Sequence, residues 1–262
     1  MDTLTIEKDV LEITKNKALN SILQDHAHDD TSKKYVYLST KDIVKHLESL
    51  GWKPVNANQK KSRKFKGFQK HLIKLEHKNF MFKEEKINLL LINSHDGKSS
   101  LQFKLGVFRF ACSNGMVVGE TFETIRLRHM NLTYLDINNS IKKLMDSIPN
   151  LINNLEDLKK TMLSTEQIMD MAKKALMLRF NDTYNDITFD DLKLIKPLRS
   201  EDSSNSAWNI FNRLQEKIIK GKFDYVNQHG KNRKLREIKG IDKNVSLNSK
   251  LFDLALSYTN NN

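Results

Sequence analysis

The chain has 262 residues, of which 39% are hydrophobic and 29% charged, and its 44 Lys and Arg against 32 Asp and Glu give a net charge of +12. These values exclude a disordered polyelectrolyte, and the single cysteine, Cys112, excludes an internal disulfide and a cysteine-based zinc site. The longest purely aliphatic run, 89–92, is far shorter than the roughly 20 residues of a membrane span, and the first residues lack the apolar segment of a signal peptide. We therefore expect a cytoplasmic protein without membrane contact.

The N-terminal part is predicted to be helical before the first strand. Thr5–Gln24 has apolar residues at helical spacing and is predicted as an amphipathic helix. A polar loop follows, and Tyr35–Leu38 is predicted as a short strand. A second helix is predicted over about 41–50, with Ser39 or Thr40 as its N-cap and a glycine directly after it.

The segment from Trp52 to Arg128 is predicted to form an antiparallel sheet. Residues 101–107 alternate between apolar and other side chains, which is the period of a half-buried strand. Asp96–Gly97 and Asn114–Gly115 are predicted as tight hairpin turns, because Asn, Asp and Gly adopt positive φ readily. The strand-like runs are 68–77, 87–92, 101–107 and 124–129.

From about residue 136 the apolar spacing becomes helical, with Pro149 as a predicted kink or break. Ser164 with Gln167 predicts a capping box at the start of the next helix. Two further helices are predicted over Ala207–Ile219 and Ser246–Tyr258.

These elements predict an α+β fold, with a central antiparallel sheet over about residues 35–130 followed by a helical C-terminal half. The predicted parts are an N-terminal amphipathic helix (1–30), a mainly β core with a basic loop (31–135), a helical region that packs on it (136–258) and a frayed tail (259–262). A single domain that contains all of them is the alternative.

The positive charge is concentrated in two stretches, 60–86 and 213–250, each of which has a net charge of +7. Basic side chains neutralise phosphates, and an aromatic ring can stack on an unpaired base. The candidate nucleic-acid-binding residues are Lys60, Lys61, Arg63, Lys64, Phe65 and Lys66 in the first stretch, and Lys231, Arg233, Lys234 and Arg236 in the second. An ordinary solvated loop is the alternative for each stretch.

The sequence gives weaker signals for a catalytic or metal-binding site than for nucleic-acid binding. His95 and Asp96 resemble the His-Asp pair of a metal-dependent phosphohydrolase, but that site needs further ligands, and a hairpin turn is the alternative. Cys112 has no nearby histidine base, which predicts a small buried thiol. The His-x-His-x-Asp run at 26–30 is predicted to be a polar loop. We assign no catalytic residue, no metal and no cofactor.

Four blocks of the sequence carry a resemblance: 35–55, 68–75, 93–119 and 207–256. The third contains an Asn-Ser-His-Asp-Gly turn and an Arg-x-x-Cys-Ser-Asn-Gly segment. These blocks resemble a phage- and plasmid-borne family known as domain of unknown function number nine hundred and thirty-two. The residues that match its signature are Asn93, Ser94, His95, Asp96, Gly97, Arg109, Cys112, Ser113, Asn114 and Gly115. The resemblance implies a mobile element, where replication, recombination and evasion of host defence are the usual tasks.

The leading hypothesis is a protein that binds single-stranded DNA in replication or recombination and catalyses no reaction. No helix-turn-helix, zinc finger or basic zipper is visible, whereas a sheet with basic loops suits an unpaired strand. Further candidate partners are a second copy of the chain and a replication protein of the host or phage. The alternatives are a metal-dependent enzyme acting on nucleic acid or nucleotides around His95 and Asp96, and a protein-binding factor that counters host defence.

Overall fold

A computed structural model describes residues 19–81, 85–109 and 120–259, with the backbone alone at 81, 108–109 and 120–123. The chain divides into two compact units, whose boundary lies between Asp146 and Ser147. The predicted helix Thr5–Gln24 falls mostly outside the described residues, and its last part, 19–24, forms a turn.

The first unit contains a five-stranded antiparallel sheet in which the strands lie in chain order. The strands are β1 (Trp52–Gln59), β2 (His71–Met81), β3 (Glu85–Asn93), β4 (Leu101–Arg109) and β5 (Glu120–Leu127). This arrangement confirms the predicted central sheet.

The middle strand β3 is buried almost throughout, over its apolar run 89–92 and also at the polar Glu85, Asn88 and Asn93. It pairs with β2 so that Asn93, its last residue, lies opposite His71, the first residue of β2. The ends of these two strands therefore bring together polar residues that are 22 positions apart in the sequence.

Helix α1 (Thr40–Ser49) precedes the sheet and contacts β1. The Ser39 side chain caps it by accepting the Asp42 N–H at 3.2 Å. The predicted strand Tyr35–Leu38 is wrong. Val36 donates to the His129 carbonyl at 2.9 Å, but the segment forms no strand ladder with the described residues.

The connection from β3 to β4 is longer than predicted. Residues 94–100 join the two strands, so Asp96 and Gly97 lie within a seven-residue loop and not in a two-residue hairpin turn. Gly97 has a φ of +69°, the positive value expected there. The second predicted turn, Asn114–Gly115, lies outside the described residues.

The C-terminal part is helical, as predicted. Its helices are α2 (Tyr134–Lys160), α3 (Thr165–Phe180), α4 (Asp191–Ile195), α5 (Ala207–Lys220) and α6 (Ile241–Leu256), and a small hairpin contains β6 (Asp224–Val226) and β7 (Asn232–Lys234). Helix α2 crosses the unit boundary and continues through Pro149 without a break. The hairpin and α4 were not predicted. No helix within the described residues is long and apolar enough to span a membrane.

The start of α3 and the burial of α5 are two well-defined features of the C-terminal unit. The capping box of α3 is confirmed: Ser164 Oγ accepts the Gln167 N–H at 3.2 Å, and the Gln167 side chain accepts the Ser164 N–H at 2.9 Å. Helix α5 is buried along almost its whole length, including the charged residues Arg213 and Glu216. The β6–β7 hairpin therefore begins directly after the end of a buried helix.

Candidate functional site

A group of buried polar side chains lies where β2 begins and β3 ends. His71 and Asn93 come from these strand ends, and Thr40 comes from the first turn of α1. His95 and His129 come from the loops that follow β3 and β5. All five are at most 5% exposed. We call this group the histidine cluster.

Thr40 is the centre of the cluster, and the pattern of its hydrogen bonds assigns the ring protons. His71 Nδ1 donates to the Gln69 carbonyl at 3.2 Å, so its Nε2 accepts the Thr40 hydroxyl at 2.8 Å. The Thr40 oxygen accepts from Asn93 Nδ2 at 3.0 Å and from His95 Nε2 at 3.1 Å. Thr40 thereby uses its single donor and both of its lone pairs.

The segment that contains Tyr35 and Val36 encloses the cluster. His129 Nδ1 donates to the Val36 carbonyl at 3.0 Å, and its Nε2 lies 2.9 Å from Asn93 Oδ1, so both ring nitrogens face oxygen acceptors. The Tyr35 ring stacks on His129 with centroids 4.6 Å apart, and the Tyr35 hydroxyl donates to the Ser94 carbonyl at 2.9 Å. A segment without strand pairing is thus held by these side-chain contacts together with the backbone hydrogen bond from Val36 to the His129 carbonyl.

Burial favours the neutral form of these histidines. It lowers the pKa of His71 to about 4. Burial, together with the neighbouring His71 and His129, lowers the pKa of His95 to about 3, and burial also lowers the pKa of His129. Protonation of His71 or His95 therefore opposes the folded state.

Metal chemistry at His95 and Asp96 was the alternative to a turn, and the turn has direct contacts in the structure. Asp96 accepts the Lys98 N–H at 3.0 Å, as in an Asx turn. His95 Nδ1 is buried without a hydrogen-bond partner among the described residues, as is Ser94 Oγ. Within the described ranges, no group of His, Cys, Asp and Glu is arranged to hold a metal ion. The contacts at this loop are those of a structural turn.

Only some residues of the family signature belong to the histidine cluster. Asn93 and His95 belong to the histidine cluster, and Ser94, Asp96 and Gly97 lie beside it. Arg109 ends β4, and only its backbone is described. The remaining signature residues, Cys112, Ser113, Asn114 and Gly115, lie outside the described residues.

The basic loop, residues 60–66, connects β1 to β2 and keeps its cations exposed. The half-buried Phe65 contacts His28 edge to face with centroids 5.0 Å apart. The ammonium groups of Lys64 and Lys98 lie 5.0 and 5.8 Å from the Phe65 centroid, and Lys64 pairs with Asp30 at 3.3 Å. The ring that the sequence offered for base stacking is therefore engaged within the chain.

A second basic surface lines a groove of about 1300 Å³ in the C-terminal unit. The ends of α3 and α5, the β6–β7 hairpin and the start of α6 form it. Its cations are Arg179, Lys220, Arg233, Lys234, Arg236, Lys239 and Lys243, and Glu237 is the one carboxylate among its described lining residues. We call this surface the basic groove.

The fold holds the basic groove through close backbone contacts. Helix α5 ends at Gly221, whose φ is +74°, and a Cβ added there would lie 2.2 Å from the Leu235 carbonyl oxygen. Leu235 donates to the Phe223 carbonyl at 2.8 Å. Arg179 Nη2 donates to the Arg236 carbonyl at 2.7 Å. The cationic strand is thereby tied to the ends of two helices.

None of the seven groove cations forms an ion pair within the described part of the chain, although the charge of Lys220 acts on Glu216. The buried Glu216 shows the contrast, because it pairs with Lys222 at 2.7 Å and Arg199 at 3.3 Å. The groove therefore presents unpaired positive charge.

The sequence identified part of this surface. Arg233, Lys234 and Arg236 line the groove, whereas the predicted Lys231 does not. Arg179 was missed, because it is isolated in sequence from the second basic stretch. Lys220, Lys239 and Lys243 lie inside that stretch, so its charge excess, taken as a whole, could have indicated them.

Comparison with known proteins identifies relatives of the chain and its family. Two proteins of Escherichia coli strain K12, UPF0380 protein YfjQ and UPF0380 protein YafZ, are each 28% identical to it over 241 residues, which cover 91% of this chain and 88% of theirs. No solved structure matches it. Residues 27–252 match the family described as "Domain of unknown function (DUF932)", which confirms the predicted resemblance. The chain therefore belongs to the DUF932 family.

Proposed function

We propose that this chain binds single-stranded DNA through the basic groove and catalyses no reaction. The observation that carries the proposal is a groove lined by seven cations and one carboxylate within the described residues. The phage- or plasmid-borne setting implied by the resemblance makes replication or recombination the proposed context.

Electrostatics supplies the driving force in this proposal. Each Lys or Arg that neutralises a phosphate releases a condensed counterion, so affinity falls steeply as the salt concentration rises. Arg233, Lys234 and Arg236 are exposed and carry no intramolecular ion pair in the described structure. Binding a strand would then require no internal salt bridge to break.

Shape favours one strand over two. The volume of about 1300 Å³ exceeds the roughly 300–1,000 Å³ of small-molecule pockets, which suits an extended ligand. Tyr225 lines the groove and is supported by Phe180, whose ring meets it edge to face with centroids 5.1 Å apart. An aromatic ring in a basic groove can stack on an unpaired base, whereas the bases of a duplex are already stacked.

The basic loop is the proposed second contact. Lys60, Lys61 and Arg63 are exposed there. Lys64 is less available, because it pairs with Asp30.

The test is fluorescence anisotropy with a labelled 20-nucleotide single strand and the matching duplex. Arg233→Glu with Arg236→Glu is expected to weaken single-strand binding at least tenfold, because two phosphate contacts become repulsive. Alanine at Lys60, Lys61 and Arg63 is expected to weaken it less.

Lys173→Glu with Lys250→Glu is the matched control. It changes the net charge equally, and both lysines are exposed in the same unit but do not line the groove. Equal losses in the groove and control variants would mean that total charge alone drives binding, which contradicts the proposal.

A further inference from the structure

Arg179 differs from the other groove cations in its surroundings. It lies in the last turn of α3 and is half-buried, whereas Arg233 and Arg236 are exposed. Its Nη2 group donates to the Arg236 carbonyl at 2.7 Å, which anchors one end of the guanidinium.

The other half of this guanidinium has no acceptor. Nη1 is buried and makes no hydrogen bond to any described residue. A buried charged donor without a partner costs more than a neutral one, and burial lowers the pKa of Arg179 accordingly. A phosphate oxygen bound in the groove beside Arg179 would give this donor the acceptor that it lacks.

We propose that Arg179 anchors a phosphate group in the basic groove, with the Arg236 carbonyl acting as the positioning contact for its guanidinium. This inference rests on the proposed function and names the contact that gives the groove geometric selectivity. A planar guanidinium presents several fixed donors and suits phosphate oxygens, whereas an ammonium acts as a point charge. The exposed cations nearby then attract the neighbouring phosphates.

The test changes the geometry of the side chain at position 179 and keeps its positive charge. Arg179→Lys in the full-length chain is expected to lower the affinity for a labelled oligothymidine about tenfold at 100 mM salt, because an ammonium lacks the planar, fixed donors with which the guanidinium can contact the Arg236 carbonyl and a phosphate at once. Arg128→Lys is the matched control, since Arg128 is exposed in the other unit, and its affinity should stay within twofold of the unsubstituted chain. Equal affinity for Arg179→Lys and Arg128→Lys would overturn the proposal.

A second measurement needs no variant. Arginine side-chain NMR signals of the unsubstituted chain are followed while oligothymidine is added, and the Arg179 signal is expected to shift with the binding curve. An Arg179 signal that stays constant at saturation would overturn the proposal, even if Arg179→Lys fails to fold.

Two oligothymidines, with and without a 5′ phosphate, distinguish the source of the phosphate. Equal affinities assign an internal phosphodiester to Arg179, and binding that needs the 5′ phosphate assigns the end of the strand. In both cases the affinity of Arg179→Lys for the oligothymidine that binds must be about tenfold lower than that of the unsubstituted chain. Failure of the proposed function is separate, because the unsubstituted chain would then bind no oligothymidine at all.

Discussion

Thr40 joins three polar side chains through one hydroxyl group. His71, Asn93 and His95 all lie within 3.1 Å of its oxygen. Each buried polar group that loses its partner destabilises the fold by roughly 1–3 kcal/mol. The cluster is therefore a point where one atom holds a helix start and two strand ends together.

The variant Thr40→Val keeps the shape of the side chain and removes the hydroxyl. We expect the free energy of unfolding to fall by about 3 kcal/mol or more, because three buried groups lose a partner. Thr40→Ser keeps the hydroxyl and should lose about 1 kcal/mol. Urea unfolding measures both, and equal stabilities of the two variants would contradict the role given to the hydroxyl.

The same residues predict a dependence of stability on pH. The pKa of His71 is about 4 and that of His95 about 3 in the folded chain, against about 6.5 when unfolded. Below pH 6.5 the unfolded chain binds more protons than the folded chain, so stability falls as the pH falls. Each such histidine contributes about 1.4 kcal/mol per pH unit once its unfolded form is protonated.

Urea unfolding between pH 7 and pH 5 tests this dependence before most carboxylates titrate. The free energy of unfolding should decrease continuously through that range. A free energy that stays constant down to pH 5 would show that the buried histidines do not control acid stability.

The sequence predicted only part of this cluster. It indicated a turn at His95, because Asp and Gly follow directly. It did not bring His71, His95 and His129 together, since strand register and loop closure determine which distant residues meet. The phosphate-anchoring role proposed for Arg179 was hidden for the same reason, because its partner, the Arg236 carbonyl, is 57 residues away.

At the scale of elements, the junction between α5 and the β6–β7 hairpin determines the shape of the basic groove. Gly221 ends α5 with positive φ and lies against the backbone of Leu235 and Arg236. A side chain there would push away the strand that carries the groove cations. Gly221 therefore links helix termination to the binding surface.

Gly221→Ala is expected to destabilise the chain by roughly 2–4 kcal/mol, from the strained φ and the overlap with Leu235. Gly230→Ala is the matched control, because Gly230 has a φ of +69° but no atom within 4 Å of the added Cβ. It should lose only about 1 kcal/mol. Equal losses in thermal unfolding would mean that the close approach to Leu235 is unimportant.

Elements with a strong periodic pattern were predicted well, and short ones were not. The capping box of α3 follows from Ser164 and Gln167 alone, which are local in sequence. Tyr35–Leu38 has the composition of a strand but forms no ladder with the described residues, because one backbone hydrogen bond to His129 and several side-chain contacts hold it instead. The three-residue strands of the hairpin are too short to show a period.

At the scale of the whole molecule, positive charge is the feature that connects sequence to the proposed function. The net charge of +12 is concentrated in two stretches. In the described structure six of the eleven cations of the second stretch line the groove, together with Arg179. The composition predicted a polyanionic ligand, and the fold was needed to identify the surface.

The salt dependence of single-strand binding tests the central claim most directly. If about five phosphates are contacted, the affinity of the unsubstituted chain should fall roughly a hundredfold between 50 and 200 mM salt, and the duplex should bind more weakly at each concentration. No binding at 50 mM salt, or an affinity that does not change with salt, would contradict a nucleic-acid-binding groove.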